Sequence, residues 1–152
     1  MNSLSEILRN YILLSAVTGW AVAQFAKVLI GMLREEKINV IRLFLSTGGM
    51  PSSHSAVTSA LCVASGIEYG VGSFQFSISF ALAVIVMQDA AGVRKEVGKQ
   101  AKVINQMQKK FFNWPIDDAT LKELVGHTPL QVLIGAIVGV IAALVMRLII
   151  RA

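Results

Sequence analysis

Charge is scarce in this chain. Only 15% of its 152 residues are Asp, Glu, Lys or Arg, against about 25% in an ordinary soluble domain. The shortfall is concentrated in four long apolar stretches, which excludes a water-soluble globular domain. With 55% hydrophobic residues and a mean hydropathy of +0.65, the chain falls in the membrane class. A single cysteine, Cys62, lies inside an apolar run, so no disulfide framework can form and the thiol reads as a small buried hydrophobe. The first ten residues do not read as a cleavable signal, because they carry Glu6 and Arg9 and no small-residue cleavage site follows the apolar run. A transit segment is lacking as well. The length suits one domain, residues 1–152.

Acidic residues are fewer than basic ones, nine against 14, for a net charge of +5 and a pI near 9.7. Such a balance can mark a nucleic-acid binder. Here the basic residues cluster in the loops between apolar runs, the placement that membrane proteins use on their cytoplasmic side, so nucleic acid is not an expected partner. The first and third loops hold ten of them, from Arg34, Lys37 and Arg42 to Lys109, Lys110 and Lys122, and the second loop has none. Both termini are therefore expected outside and both long loops in the cytoplasm.

Four spans are expected. The first runs from Tyr11 to about Met32, long enough to cross about 30 Å of hydrocarbon at about 1.5 Å per residue, with Gln24 and Lys27 in its second half. A mixed-charge loop, Arg34-Glu35-Glu36-Lys37, leads through the apolar piece Ile38–Leu45 to the turn Thr47-Gly48-Gly49-Met50-Pro51. The second span, Ser52 to about Ile67, is short and rich in Ser, Thr and Ala, which suits packing among helices better than facing lipid. After a tight turn at Glu68–Ser73, the third runs from Phe74 to about Met87 and continues as helix through Asp89 and Arg94. Val97, Ala101, Ile104 and Met107 then recur at roughly helical spacing, marking an amphipathic extension of the third helix or an interfacial segment, which Trp114-Pro115 breaks. The fourth runs from Pro129 to about Ile150, with Thr128 as N-cap and proline at the first helical position. Its Gly135 and Gly139 form a GxxxG pair, a packing face within the bundle or between subunits. The fold class is all-α: a polytopic helical bundle with short interfacial helices.

This connectivity brings polar groups from every span to one level. His54 opens the second span and His127 precedes the fourth, and these are the two histidines of the chain. Lys27 and Arg34 lie at the same end of the first span, Asp89 and Arg94 at that end of the third. Taken singly, each has a plain reading: an interfacial histidine is commonly inert, Lys27 can snorkel, and Asp89 can pair with Arg94. Taken together they make a functional cluster, since ionisable residues within spans are costly and mark sites by default. Two helix N-termini, at Ser52-Ser53-His54 and Thr128-Pro129, aim N–H groups and positive dipole ends into the same region. With Lys27, Arg34 and Arg94 they form an anion site, most naturally for a phosphoryl group. Histidine can attack phosphorus or protonate a leaving oxygen near neutral pH. Phosphate-ester hydrolysis without a metal fits this set, because the surrounding cations oppose a bound cation.

The string Gly48-Gly49-Met50-Pro51-Ser52-Ser53-His54-Ser55 resembles the second motif, P-S-G-H, of the phosphatidic-acid phosphatase type 2 and vanadium haloperoxidase superfamily. Asp89-Ala90-Ala91-Gly92-Val93-Arg94 and Gly126-His127-Thr128-Pro129-Leu130 resemble its small divergent branch of bacteria and plastids, over almost the whole chain. The resemblance implies phosphate binding by Lys27 and Arg34, which match K-x6-R, and by Ser52 and the backbone at Ser53. It implies His54 as general acid on the leaving group and His127 as the nucleophile that forms a phosphohistidine. The chain also departs from the pattern: Glu35 stands for a proline, Ser53 for a glycine, Leu121 for the third-motif arginine and Gln131 for the third-motif aspartate. Glutamine can orient a ring by hydrogen bonding but brings no charge. Arg94 is the candidate for the missing cation, with Asp89 or Gln131 orienting His127. Five residues separate Asp89 from Arg94, however, and an unbroken α-helix does not put such a pair on one face.

The leading expectation is thus a membrane phosphatase-like protein acting on a lipid-linked phosphate or pyrophosphate, with no cofactor. It would be a multi-pass protein of a bacterial plasma membrane with its active face cytoplasmic. Membrane lipids are its expected partners, and a homo-oligomer is a further candidate. Two alternatives stand beside it: a catalytically degenerate bundle that binds anionic lipid or scaffolds a complex, and a small transporter or channel subunit using Lys27 and Asp89 as a relay.

Overall fold

A computed structural model describes residues 3–33, 49–112, 121 and 126–151. The expected loop Arg34–Lys37, the piece Ile38–Leu45, Trp114-Pro115 and the site candidate Arg34 lie outside the described residues. Among those described, every regular element is helical. A short α1 (Ser3–Ile7) precedes α2 (Tyr11–Leu33), α3 (Ser53–Tyr69) and α4 (Phe74–Gln88). A π-helical turn, Asp89–Val93, joins α4 to α5 (Arg94–Phe112), and α6 (Pro129–Arg151) closes the bundle.

Among the described residues, three helical segments are long and apolar enough to cross a membrane: Tyr11–Leu33, Phe74–Phe111 and Pro129–Ile150. The remaining helix of the bundle, α3, has 17 residues, or about 26 Å at 1.5 Å per residue. It is the centre of the bundle, packing against α2, α4 and α6. Its buried residues are Ser53, Ser55, Ala56, Thr58, Ser59, Ala60, Ala64 and Ser65, so the expected small-residue helix is a core helix sheathed by longer apolar ones. The large side chains point outward instead, as with Phe25, Ile85 and Leu148, which are exposed, the inversion expected where lipid is the solvent.

Backbones approach closely because glycines face Ala56 from two sides. A Cβ on Gly139 would collide with the Ala56 carbonyl oxygen, one on Gly135 would collide with the Ser52 carbonyl oxygen, and one on Gly19 of α2 would lie 3.0 Å from the Ala56 oxygen. The Gly135–Gly139 face is therefore occupied within the bundle. Buried hydroxyls return to the backbone of their own helix, Ser15 to the Tyr11 carbonyl at 2.7 Å and Thr58 to the His54 carbonyl at 3.0 Å, which satisfies them without water.

The expected third span, α4, continues without a break in helicity through the π turn into α5, so of the two sequence readings the extension is the one found. At the end of the bundle away from the histidines, Tyr11 donates its hydroxyl to the Ala143 carbonyl at 2.9 Å and Arg147 meets Glu68 at 3.4 Å. These contacts tie α2, α3 and α6 together there.

Candidate functional site

The site begins where two helices start side by side. Ser52 caps α3: its Oγ accepts the Ser55 N–H at 3.4 Å and the Ser55 hydroxyl at 3.0 Å. Its own N–H donates to the Gln131 carbonyl in the first turn of α6 at 3.1 Å. That bond sets the two N-termini against each other, and both positive dipole ends meet at one place. Gly49 enters this segment with φ of 92°, a conformation that glycine adopts without steric cost.

Lys27 is 4% exposed, and its Nζ donates to Ser53 Oγ at 3.0 Å. A lysine held inside a helical bundle has to be compensated; here its ammonium meets the Ser53 hydroxyl at the mouth of α3. His54 follows at once on α3, and its ring centroid is 6.3 Å from that of His127, with the planes tilted by 58°.

His127 is 2% exposed. Its backbone N–H donates to the Ala90 carbonyl at 2.9 Å, and its Nδ1 lies 3.4 Å from Gln131 Oε1. That oxygen also accepts the Thr128 N–H at 2.9 Å, while the Gln131 N–H donates to Thr128 Oγ1 at 3.3 Å. Thr128 and Gln131 thus form a reciprocal capping box, and the expected N-cap is in place. With an accepting oxygen beside Nδ1, the satisfied tautomer carries its proton there and leaves a lone pair on Nε2. Nε2 is buried without a hydrogen-bond partner. Burial is the main cause that holds the His127 pKa below its ordinary value; the Gln131 contact opposes this, and the charges of Lys27, His54 and Arg94 add to it.

The π turn resolves the difficulty with the five-residue spacing. In an α-helix two residues five apart diverge by about 140°. Here the Arg94 N–H reaches the Asp89 carbonyl across the wider turn, and the Arg94 Nε meets Asp89 Oδ2 at 2.7 Å. Gly126, with φ of +97°, packs on this segment so closely that a Cβ would lie 2.8 Å from the Lys95 nitrogen and 3.0 Å from the Arg94 carbonyl carbon. Arg94 is thereby brought beside the segment that carries His127. The charges of Arg94, Lys27 and Asp89 also reach His54.

The structure thus gathers Lys27, Ser52, Ser53, His54, His127, Gln131, Asp89 and Arg94 at one end of the bundle. Asp89 is engaged with Arg94, and Gln131 is a polar neighbour of the His127 ring. Leu121 is elsewhere, its N–H and carbonyl bonded to the Asn105 side chain at 3.0 and 2.9 Å. No group of three or more His, Cys, Asp or Glu side chains that could hold a metal ion occurs among the described residues. Sequence reasoning missed the Ala90 carbonyl and the Asn105 clamp. The first left one trace, a charged pair at a spacing no α-helix serves; the second left none.

A model of the divergent PAP2 family, the phosphatidic-acid phosphatase type 2 group, matches residues 8–142. An uncharacterized membrane protein of Bacillus subtilis (strain 168), YuiD, is 40% identical over 153 residues, covering 93% of this chain and 96% of that relative. No solved structure matches.

Proposed function

The chain belongs to the divergent PAP2 family, and from that premise we propose that it is a membrane phosphatase-like protein hydrolysing a lipid-linked phosphate or pyrophosphate through a phosphohistidine. The observation that carries this reading is His127 itself: a neutral imidazole, buried, with an unpartnered Nε2, one ring away from a second histidine. A buried polar nitrogen without a partner is costly, and a nucleophile waiting for phosphorus accounts for it. In the first step the Nε2 lone pair forms the N–P bond as the ester P–O bond breaks, and His54 gives its proton to the leaving oxygen. Water, deprotonated by His54, then attacks phosphorus as the N–P bond breaks, releasing phosphate and returning His127 to its neutral form. Lys27, Ser52 and the α3 N-terminus hold the phosphoryl oxygens, Ser53 carrying the Lys27 ammonium. The site opens at the cytoplasmic face of a bacterial plasma membrane, following the distribution of Lys and Arg.

The test is phosphate release by the purified protein in detergent from a panel of lipid phosphates, beside His54→Ala and His127→Ala. Release that both substitutions abolish is the expected result. A folded protein that releases nothing from any member would overturn it. A second reading, a degenerate bundle that binds anionic lipid, draws on Gln131: its side-chain oxygen is already shared with the Thr128 N–H and brings no charge to the imidazole. Under that reading the protein retains the lipid phosphate without cleaving it.

A further inference from the structure

We propose that the π turn Asp89–Val93 is the positioning element of the site, anchoring the His127 backbone and setting Arg94 beside it as the cation that position 121 does not supply. The proposal rests on the phosphatase reading for what the cation would do, but not for where it is.

The hydrogen-bond exchange in the turn carries the first half. In an α-helix the donor to the Ala90 carbonyl would be the Arg94 N–H, four residues on. The π turn directs that N–H to the Asp89 carbonyl, and the Ala90 carbonyl receives the His127 N–H at 2.9 Å. A single wide turn of this kind is a common local device at functional sites. It supplies a backbone acceptor on the outside of a helix, and the acceptor is used by the residue bearing the candidate nucleophile. Gly126 makes the approach sterically feasible, since any Cβ there would strike the Arg94–Lys95 backbone.

The second half rests on two placements. Arg94 is clamped by Asp89 at 2.7 Å, with its backbone under Gly126, the neighbour of His127. Leu121 is held by both bonds from Asn105, eleven residues further along α5, or about 16 Å at 1.5 Å per residue. That is longer than an arginine side chain, so an arginine at 121 would not serve this site from there. Asp89 is then a positioning residue for Arg94 and does not act on His127 directly. The charged and titratable groups facing His127 are Lys27 from α2, His54 from α3 and Arg94 from the start of α5, with Gln131 the polar neighbour in the first turn of α6.

The test uses the full chain in detergent with histidines isotopically labelled, the two imidazoles being assigned with His54→Ala. Removing a neighbouring positive charge favours the imidazolium, so Arg94→Gln is expected to raise the His127 titration midpoint, and Arg94→Lys to restore most of the original value. Deleting Gly92 turns the π turn into an α turn and leaves Asp89 and the arginine as an i,i+4 pair, but it returns the Ala90 carbonyl to the helix. The His127 amide is then expected to lose protection from hydrogen exchange. An unmoved His127 midpoint in Arg94→Gln, or an equally protected amide after the deletion, would overturn the positioning role. Binding of vanadate as a phosphate mimic separates this from the phosphatase reading. Arg94→Gln is expected to weaken it about ten- to a hundred-fold, the range for a hydrogen bond to a charged group. Equal binding by wild type and Arg94→Gln would overturn the cation role. No binding by wild type would overturn the phosphatase reading, while the His127 midpoint and amide decide the positioning role by themselves.

Discussion

The backbone N–H of His127 ends on the carbonyl oxygen of Ala90 at 2.9 Å, joining the segment before α6 to the π turn between α4 and α5. A second bond of the same kind runs from the Ser52 N–H to the Gln131 carbonyl at 3.1 Å. The first bond anchors the His127 backbone itself, and the second anchors Ser52, the N-cap of the helix that carries His54. Such bonds hold a side chain's origin more rigidly than packing does, because a buried peptide group left unpaired costs about 1–3 kcal/mol.

The close approach of α6 to α3 predicts a sharp steric contrast between glycines. Gly139→Ala places a methyl group against the Ala56 carbonyl, where nothing flexible can give way. A loss of about 1–3 kcal/mol is expected for overpacking of this kind, read as a lowered thermal midpoint in detergent. Gly72→Ala, with nothing within 4 Å, is expected to change stability by no more than about 0.5 kcal/mol. Equal midpoints for the two variants would contradict the packing of α6 on α3.

Lys27 offers a test of function against stability. Its ammonium is buried against the Ser53 hydroxyl, so the folded state carries a charge in a poor solvent for it. Lys27→Met keeps the aliphatic volume and removes that cost. The variant is expected to be as stable as wild type within about 1 kcal/mol, or more stable, while phosphate or vanadate binding is lost. Destabilisation with retained anion binding would make Lys27 a structural residue.

The sequence was most informative where physics is local. Hydropathy located the apolar helices, and Thr128-Pro129 marked the start of α6 because N-cap chemistry is set by adjacent residues. The poor lipid compatibility of α3 was visible in its Ser, Thr and Ala content, and the structure places it at the centre. The GxxxG pair could be seen but its partner could not, since small residues permit close approach without specifying to what. The pairing of Asp89 with Arg94 was open to the sequence, but the means was not: a π turn has no residue signature of its own, and DAAGV would read equally well as α-helix. The Asn105 clamp on Leu121 joins residues 16 apart, a separation that helical periodicity does not encode.

Gln131 has two neighbours for one oxygen, the Thr128 N–H and His127 Nδ1. Gln131→Ala removes the capping box and is expected to cost about 1 kcal/mol. Gln131→Glu keeps an acceptor at both contacts and adds a negative charge, which favours the imidazolium of His127. Its thermal midpoint is expected to match wild type, and the acid limb of phosphate release is expected to move to higher pH. A limb unchanged by the added carboxylate would show that Gln131 serves the helix cap alone.

Burial gives His127 a pH signature in stability that can be read without any substrate. Its folded-state pKa lies below the ordinary value of about 6.5, so near neutral pH the imidazole is uncharged in both states and contributes no difference. As pH falls through the unfolded value, the unfolded chain takes up a proton that the folded protein refuses. By linkage, stability then declines with falling pH, beginning near 6.5 and levelling only below the folded pKa. His127→Asn removes the group from both states. The measurement is the thermal midpoint in detergent from pH 8 down to pH 5 for wild type and His127→Asn. Wild type is expected to lose more stability than the variant below about pH 6.5. Parallel curves would mean that His127 takes its proton as readily in the fold as in water, and an imidazole that does so at the bottom of this site could not wait there as a neutral nucleophile at mildly acidic pH.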